Sequence, residues 1–155
     1  MNGGRLVVVT GAASGIGRAV CEVFAAAGDR VAAVDRRAEL LERAAAELRR
    51  THGVPVTALV TDLAQPRAAS ELAERARAGD PAGEPATVLV NAAGLYPAVP
   101  LLDLTADAWD QVLDVNVRAA ALATVGFARA LVAAGRPGAV VNISSGAAVR
   151  ARPGA

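Results

Sequence analysis

Short runs of β-branched and aliphatic residues alternate along this chain with longer alanine-rich stretches, and this alternation constrains the fold most strongly. Uninterrupted apolar runs are typical of strands that a parallel sheet buries on both faces. We predict strands at 6–9, 31–34, 54–60, 87–90 and 139–143, and helices at 15–27, 37–50, 66–78 and 105–134. The pattern predicts an α/β fold with three layers, in which helices cover both faces of a doubly wound sheet of strand order 3-2-1-4-5.

Length and charge narrow the class of protein. A chain of 155 residues, 54% hydrophobic, suits a single folded domain over 1–155. Its formal net charge is only +1, so we expect neither a nucleic acid nor a membrane as partner. One cysteine, Cys21, excludes an internal disulfide and favours the cytoplasm. We expect no metal site.

A glycine-rich turn follows the first predicted strand and opens the first helix. Thr10 to Gly17 reads TGAASGIG, so the candidate binding residues are Gly11, Ser14, Gly15, Ile16 and Gly17. Glycines let the backbone approach a pyrophosphate, whose charge the N–H groups of the helix end would face. The sequence therefore predicts a dinucleotide site, with an ordinary tight turn as the alternative. A Walker-type loop is excluded because the chain contains no lysine.

An acidic residue ends the second predicted strand. Asp35 lies eighteen positions after Gly17, near the spacing at which a carboxylate binds the ribose hydroxyls of NAD. Arg36 and Arg37 come directly after it and could instead attract the 2′-phosphate of NADP. We predict NAD as cofactor, with NADP as the alternative.

The glycine turn and four other motifs resemble those of the short-chain dehydrogenase/reductase family, classical type, over essentially the whole chain. Asp62 and Leu63 resemble the family's adenine-contacting pair, and Asn91-Ala92-Ala93-Gly94 resembles its Asn-Asn-Ala-Gly motif. Asn116 matches the helix asparagine of the catalytic tetrad, and Asn142-Ile143-Ser144-Ser145 matches the segment that ends in the catalytic serine. The resemblance implies a Rossmann-type fold, cofactor contacts by these motifs including Ile143, and catalytic roles for Ser145 and Asn116.

The resemblance also implies an activity. Members of the family transfer hydride between a nicotinamide and a carbonyl or alcohol substrate, and use a tyrosine whose pKa an adjacent lysine lowers. That pair is expected about thirteen residues after Ser145, which is beyond Ala155. We therefore expect an amino-terminal portion of such an enzyme, incomplete at its carboxyl end and of negligible turnover. Homodimers or homotetramers are implied by the family.

Two other functions are compatible with these sequence features. A non-catalytic dinucleotide-binding or regulatory module would keep the glycine turn and Asp35 without the tyrosine and lysine. A methyltransferase also places an acid after its second strand, although the glycine spacing and Asn142 to Ser145 argue against it.

Overall fold

A computed structural model describes residues 4–148 and contains the predicted sheet. The five strands are parallel and lie in the order β3-β2-β1-β4-β5, which confirms the predicted order. Their bounds are β1 Leu6–Thr10, β2 Arg30–Asp35, β3 Val56–Val60, β4 Val88–Asn91 and β5 Ala139–Asn142.

Helices connect the strands, and two of the predicted helices are subdivided. Their bounds are α1 Gly15–Ala26, α2 Ala38–His52, α3 Pro66–Ser70, α4 Leu72–Gly79, α5 Ala106–Leu113 and α6 Ala120–Ala134. Glu71, at φ −90° and ψ 0°, separates α3 from α4. The preceding residue, Ser70, donates its hydroxyl to the Arg67 carbonyl at 3.0 Å. A π-helical segment, Asp114–Ala119, joins α5 to α6. Single-turn 3₁₀ segments lie at Leu101–Asp103 and Gly146–Ala148.

The core consists of two apolar layers, one on each face of the sheet. β1 is buried at all five positions, and its side chains alternate between the layers. Val7 and Val9 pack on the side of α1 and α2, whereas Leu6 and Val8 pack on the side of α3, α4 and α6. Cys21 is fully buried in the first layer, where burial raises the pKa of its thiol to about 12. The thiol is therefore unreactive at neutral pH.

The β5 side of the sheet is open in the described part of the chain. All four β5 residues are exposed. The helical run Ala106–Ala134 is long and apolar enough to cross a membrane by length and composition alone. Within it, Ala123, Phe127 and Leu131 of α6 are buried against the sheet, so this run also supplies one layer of the fold.

The carboxyl ends of the strands meet at one edge of the sheet. Thr10, the last residue of β1, pairs with Val34 of β2. Asp35 ends β2, and Asn91 ends β4 opposite Asn142 of β5. In a doubly wound sheet the ligand crevice lies at this edge, where the strand order reverses.

Candidate functional site

A cleft of about 410 Å³ lies at that edge, beyond β1, β2, β3 and β4. The cleft brings together segments that lie as many as 104 positions apart in the sequence. Twelve of the predicted site residues line it. The lining comprises Gly11, Ser14, Gly15, Ile16, Gly17, Asp35, Arg36, Arg37, Thr61, Asp62, Leu63, Ala92, Ala93, Gly94, Leu95 and Val115.

The glycine turn presents backbone to the cleft. A β-carbon on Gly17 would lie 2.6 Å from the Gly11 carbonyl carbon and 2.9 Å from the Thr10 oxygen, so only glycine fits between the helix and the turn. Ser14 starts α1 without a side-chain capping bond, and the first turn contains no acidic residue. The first N–H groups of a helix have no partner within it. The turn therefore offers uncapped N–H groups and a positive helix end to an anion in the cleft.

Thr10 fixes the distance between the turn and the loop after β4. It is 1% exposed, and its Oγ1 accepts hydrogen bonds from the backbone N–H groups of Ala92 and Ala93, both at 3.0 Å. Gly11 packs so closely against this loop that a β-carbon there would lie 3.0 Å from the Ala92 oxygen. Two walls of the cleft are thus joined by one hydroxyl.

The substitution Thr10→Val tests this connection. Valine keeps the shape but removes the acceptor, so two half-buried N–H groups lose their partner. We expect the free energy of unfolding to fall by about 1–3 kcal/mol. Urea unfolding followed by circular dichroism measures the change. Thr10→Ser keeps the hydroxyl and serves as the control, and equal losses in both variants would contradict the role of the hydrogen bonds.

Asp35 is buried at the tip of β2 and fully engaged by neighbours. Its Oδ2 accepts from the Ala13 N–H at 3.1 Å, and both carboxylate oxygens accept from Arg37. Burial alone would raise the pKa of Asp35, but the hydrogen bonds from Arg37 and Ala13 outweigh it and hold the pKa below its ordinary value. Asp35 is therefore ionised at neutral pH, and it lines the cleft as one half of an ion pair rather than as a free carboxylate.

Two predicted asparagines lie outside the cleft lining. Asn91 is buried, and its Nδ2 donates to Asn142 Oδ1 at 2.9 Å and to Thr124 Oγ1 at 3.3 Å, so its side chain ties β4 to β5 and α6. Asn116 lies in the π-helical segment, where its Oδ1 accepts from the Leu95 N–H at 2.7 Å and its Nδ2 donates to the Leu95 oxygen at 2.8 Å. Asn91 thus binds other side chains, whereas Asn116 holds the Leu95 backbone, which lines the cleft.

The remaining predicted residues show local contacts. Asp62 lines the cleft, and its Oδ1 accepts from the Ala64 N–H at 3.1 Å, so it also caps a turn. The Ile143 N–H donates to the Asn91 oxygen at 3.0 Å and thereby extends the pairing of β5 with β4. Ser145 is exposed, and its Oγ accepts from the Ala147 N–H at 3.1 Å. Neither Ile143 nor Ser145 belongs to the lining, and their functional roles stay predictions.

Four lining residues escaped the prediction of site residues: Arg37, Thr61, Leu95 and Val115. Thr61 follows β3, and a general signal could have found it, because residues after every strand of a parallel sheet meet at one edge. Leu95 and Val115 adjoin residues that were predicted. The sequence indicates Arg37 only as a residue that could attract the 2′-phosphate of NADP, and no sequence pattern indicates its contact with Asp35.

Comparisons with known proteins agree with this architecture. The model of the short chain dehydrogenase family matches residues 5–155. Galactitol 2-dehydrogenase (L-tagatose-forming) of Cereibacter sphaeroides is 41% identical over 142 residues, which are 92% of this chain and 53% of that protein. The crystal structure of L-sorbose reductase from Gluconobacter frateurii, complexed with NADPH and L-sorbose, is 32% identical with a TM-score of 0.85, over 94% of this chain and 54% of that one.

A third relative is closer in length. The short chain dehydrogenase/reductase dpmpG of Macrophomina phaseolina is 35% identical over 147 residues, 94% of this chain and 82% of that protein. The chain spans about half the length of the galactitol and sorbose enzymes.

Proposed function

The chain belongs to the short-chain dehydrogenase family, and from that membership we propose that its cleft binds a nicotinamide dinucleotide for hydride transfer to or from a small carbonyl or alcohol compound. One observation carries the proposal: the uncapped end of α1, the glycine turn and the tip of β2 converge on one cleft of about 410 Å³. Relatives named as dehydrogenases and reductases, one of them solved with NADPH, support the same cofactor class.

The described residues fit such a cofactor. Only glycine fits at Gly11 and Gly17, because a β-carbon at either position would lie too close to neighbouring backbone atoms. The resulting turn leaves room for a pyrophosphate to approach the backbone. In the proposal, the N–H groups at the start of α1 bind the diphosphate and Asp62 and Leu63 lie against the adenine. When bound, the nicotinamide supplies the hydride acceptor or donor.

Asn116 holds the backbone at the part of the cleft where we place the substrate. Its double hydrogen bond fixes the Leu95 backbone, which lines the cleft directly after Gly94. A π-helical segment widens the helix at this point, a distortion common at functional sites. We propose that Ser145 orients the substrate oxygen, as its match to the family's serine implies.

The proton transfer of the family's reaction draws on a tyrosine and a lysine. These 155 residues contain no lysine, and their one tyrosine, Tyr96, is 65% exposed and outside the cleft lining. In the family's reaction a lysine cation assists the tyrosine, and that cation is missing from these residues. We therefore propose that the 155-residue chain binds cofactor with little or no turnover, as a portion of an enzyme or as a non-catalytic module.

Calorimetric titration of the purified chain with NAD⁺ and with NADP⁺ tests the binding proposal. We expect saturable binding of at least one dinucleotide, competition by ADP-ribose, and no heat with S-adenosylmethionine. A chain that is folded by circular dichroism and binds neither dinucleotide would contradict the proposal. Binding of S-adenosylmethionine alone would indicate a methyltransferase instead.

A further inference from the structure

The carboxylate of Asp35 has no free acceptor position. Its Oδ1 accepts from the backbone N–H and the Nε of Arg37, each at 3.0 Å. Its Oδ2 accepts from the Arg37 Nη2 at 3.0 Å and from the Ala13 N–H at 3.1 Å. A carboxylate has about four acceptor positions, so these four bonds use all of them. A ribose diol can bind Asp35 only by displacing the Arg37 guanidinium.

Arg37 also reaches across the mouth of the cleft. Its Nη2 donates to Ser14 Oγ in the glycine turn at 2.8 Å, and its side chain is 45% exposed. The guanidinium therefore bridges the tip of β2 to the start of α1. Both ends of this bridge, Ser14 and Asp35, line the cleft.

Four charged residues line the cleft: Arg36, Arg37, Asp35 and Asp62. Arg37 offsets Asp35, and Arg36 lines the cleft without a hydrogen bond or ion pair to any residue among 4–148. A free carboxylate would repel a 2′-phosphate, because two like charges a few ångströms apart interact unfavourably. A carboxylate neutralised by a bidentate arginine repels it far less, and the guanidinium is itself a phosphate ligand.

We infer that Arg37 sets the cofactor selectivity of this cleft: by holding Asp35 in the Asp35–Arg37–Ser14 bridge, it makes the chain accept NAD⁺ and NADP⁺ about equally. The inference rests on the proposed function and names what that function leaves open. NAD⁺ must break the bridge to reach Asp35, which weakens its binding. The 2′-phosphate of NADP⁺ would lie near Arg36 and Arg37, and near an Asp35 carboxylate whose charge Arg37 already offsets.

Titration calorimetry of the 155-residue chain and three variants tests the inference. For the unchanged chain we expect Kd values for NAD⁺ and NADP⁺ within about tenfold of each other. In Arg37→Ala the freed Asp35 binds ribose hydroxyls and repels phosphate. The ratio of the Kd for NADP⁺ to that for NAD⁺ should then rise by about tenfold or more, the effect of one charge-assisted hydrogen bond.

Two further variants distinguish the effect of the Asp35–Arg37–Ser14 bridge from that of net positive charge. Arg37→Lys keeps the positive charge but cannot span both carboxylate oxygens and Ser14, so an intermediate ratio is expected. Arg43→Ala removes an equally charged arginine from α2, where it forms an ion pair with exposed Glu39, and should leave the ratio within about twofold.

The outcomes distinguish the two proposals. If the folded chain binds neither dinucleotide, the proposed function fails and this inference fails with it. If the two Kd values of the unchanged chain differ by more than about tenfold in either direction, or if Arg37→Ala binds without a change in ratio, the inference alone is overturned. The measurement on the unchanged chain decides the matter even if the Arg37→Ala variant does not fold.

Discussion

The Gly17→Ala variant should be less stable than the unchanged chain and should lose dinucleotide binding. Alanine is the better helix former by about 1 kcal/mol, so propensity alone predicts stabilisation. The structure predicts the reverse, because the new β-carbon would meet the Thr10 and Gly11 backbone, which cannot rotate away as a side chain could. Separating α1 from the turn costs about 3 kcal/mol or more. We expect at least a hundredfold weaker binding, since the same movement displaces the N–H groups that face the cleft.

Gly15→Ala provides the control for this substitution. Gly15 lies in the same helix, and a β-carbon there meets nothing within 4 Å, although its φ of +55° disfavours alanine. The strain should cost about 1–2 kcal/mol, less than the clash at Gly17. Thermal unfolding of both variants measures the difference. A Gly17→Ala variant as stable as the unchanged chain would show that α1 does not pack on the turn as described.

The second large effect is expected at the opposite edge of the sheet. Arg30 begins β2, and its side chain is 9% exposed while that of Asp80 is 1% exposed. The Arg30 Nε donates to Asp80 Oδ1 at 2.8 Å, and its Nη1 donates to the Gly4 oxygen at 2.7 Å. Its Nη2 also donates to Glu84 Oε2 at 3.2 Å, so one guanidinium holds the loop before β4. Asp80 Oδ2 is buried and makes no hydrogen bond within the described structure.

Arg30→Met should therefore lower the free energy of unfolding by about 3–5 kcal/mol, because it leaves a buried carboxylate without a cation. Urea unfolding measures the loss. In the double variant Arg30→Met, Asp80→Leu both charges are gone, and most of the loss should be recovered, since an apolar pair of similar volume avoids the desolvation of two ions. If the single variant loses less than about 1 kcal/mol, the ion pair is not buried in solution. If the double variant is as unstable as the single one, the loss comes from packing rather than from the unpaired charge.

Several parts of the fold followed from local patterns. The continuous apolar runs at β1 and β2 predicted buried parallel strands, and the alanine-rich stretches predicted their connecting helices. Thr105 accepts from the Ala108 N–H at 3.2 Å and caps α5, as expected of a threonine at that position. The helix predicted over 66–78 is divided at Glu71, where the sequence contains no glycine or proline to signal a break. The helix predicted over 105–134 is present as the run Ala106–Ala134, but its π-helical segment was not predicted.

The candidate site was predictable to the extent that it follows strand ends. Residues after β1, β2, β3 and β4 meet because parallel strands end at one edge, and this rule needs only the order of elements. The contacts of Asp35 were not predictable. Its spacing from Gly17 indicated a ribose-binding acid, but Arg37 occupies its oxygens, and Arg36 was an equal candidate for that contact by sequence.

Sequence periodicity alone determined the class of this protein, since the alternation of strand and helix with glycines at one turn admits few topologies. Only the tertiary structure decided which polar groups form hydrogen bonds and ion pairs with one another. Arg30 and Asp80 are fifty positions apart, and Asn116 and Leu95 twenty-one, so no local pattern links them. Hydrogen bonds and ion pairs depend on distances of a few ångströms, and only the packed layers bring those atoms within reach.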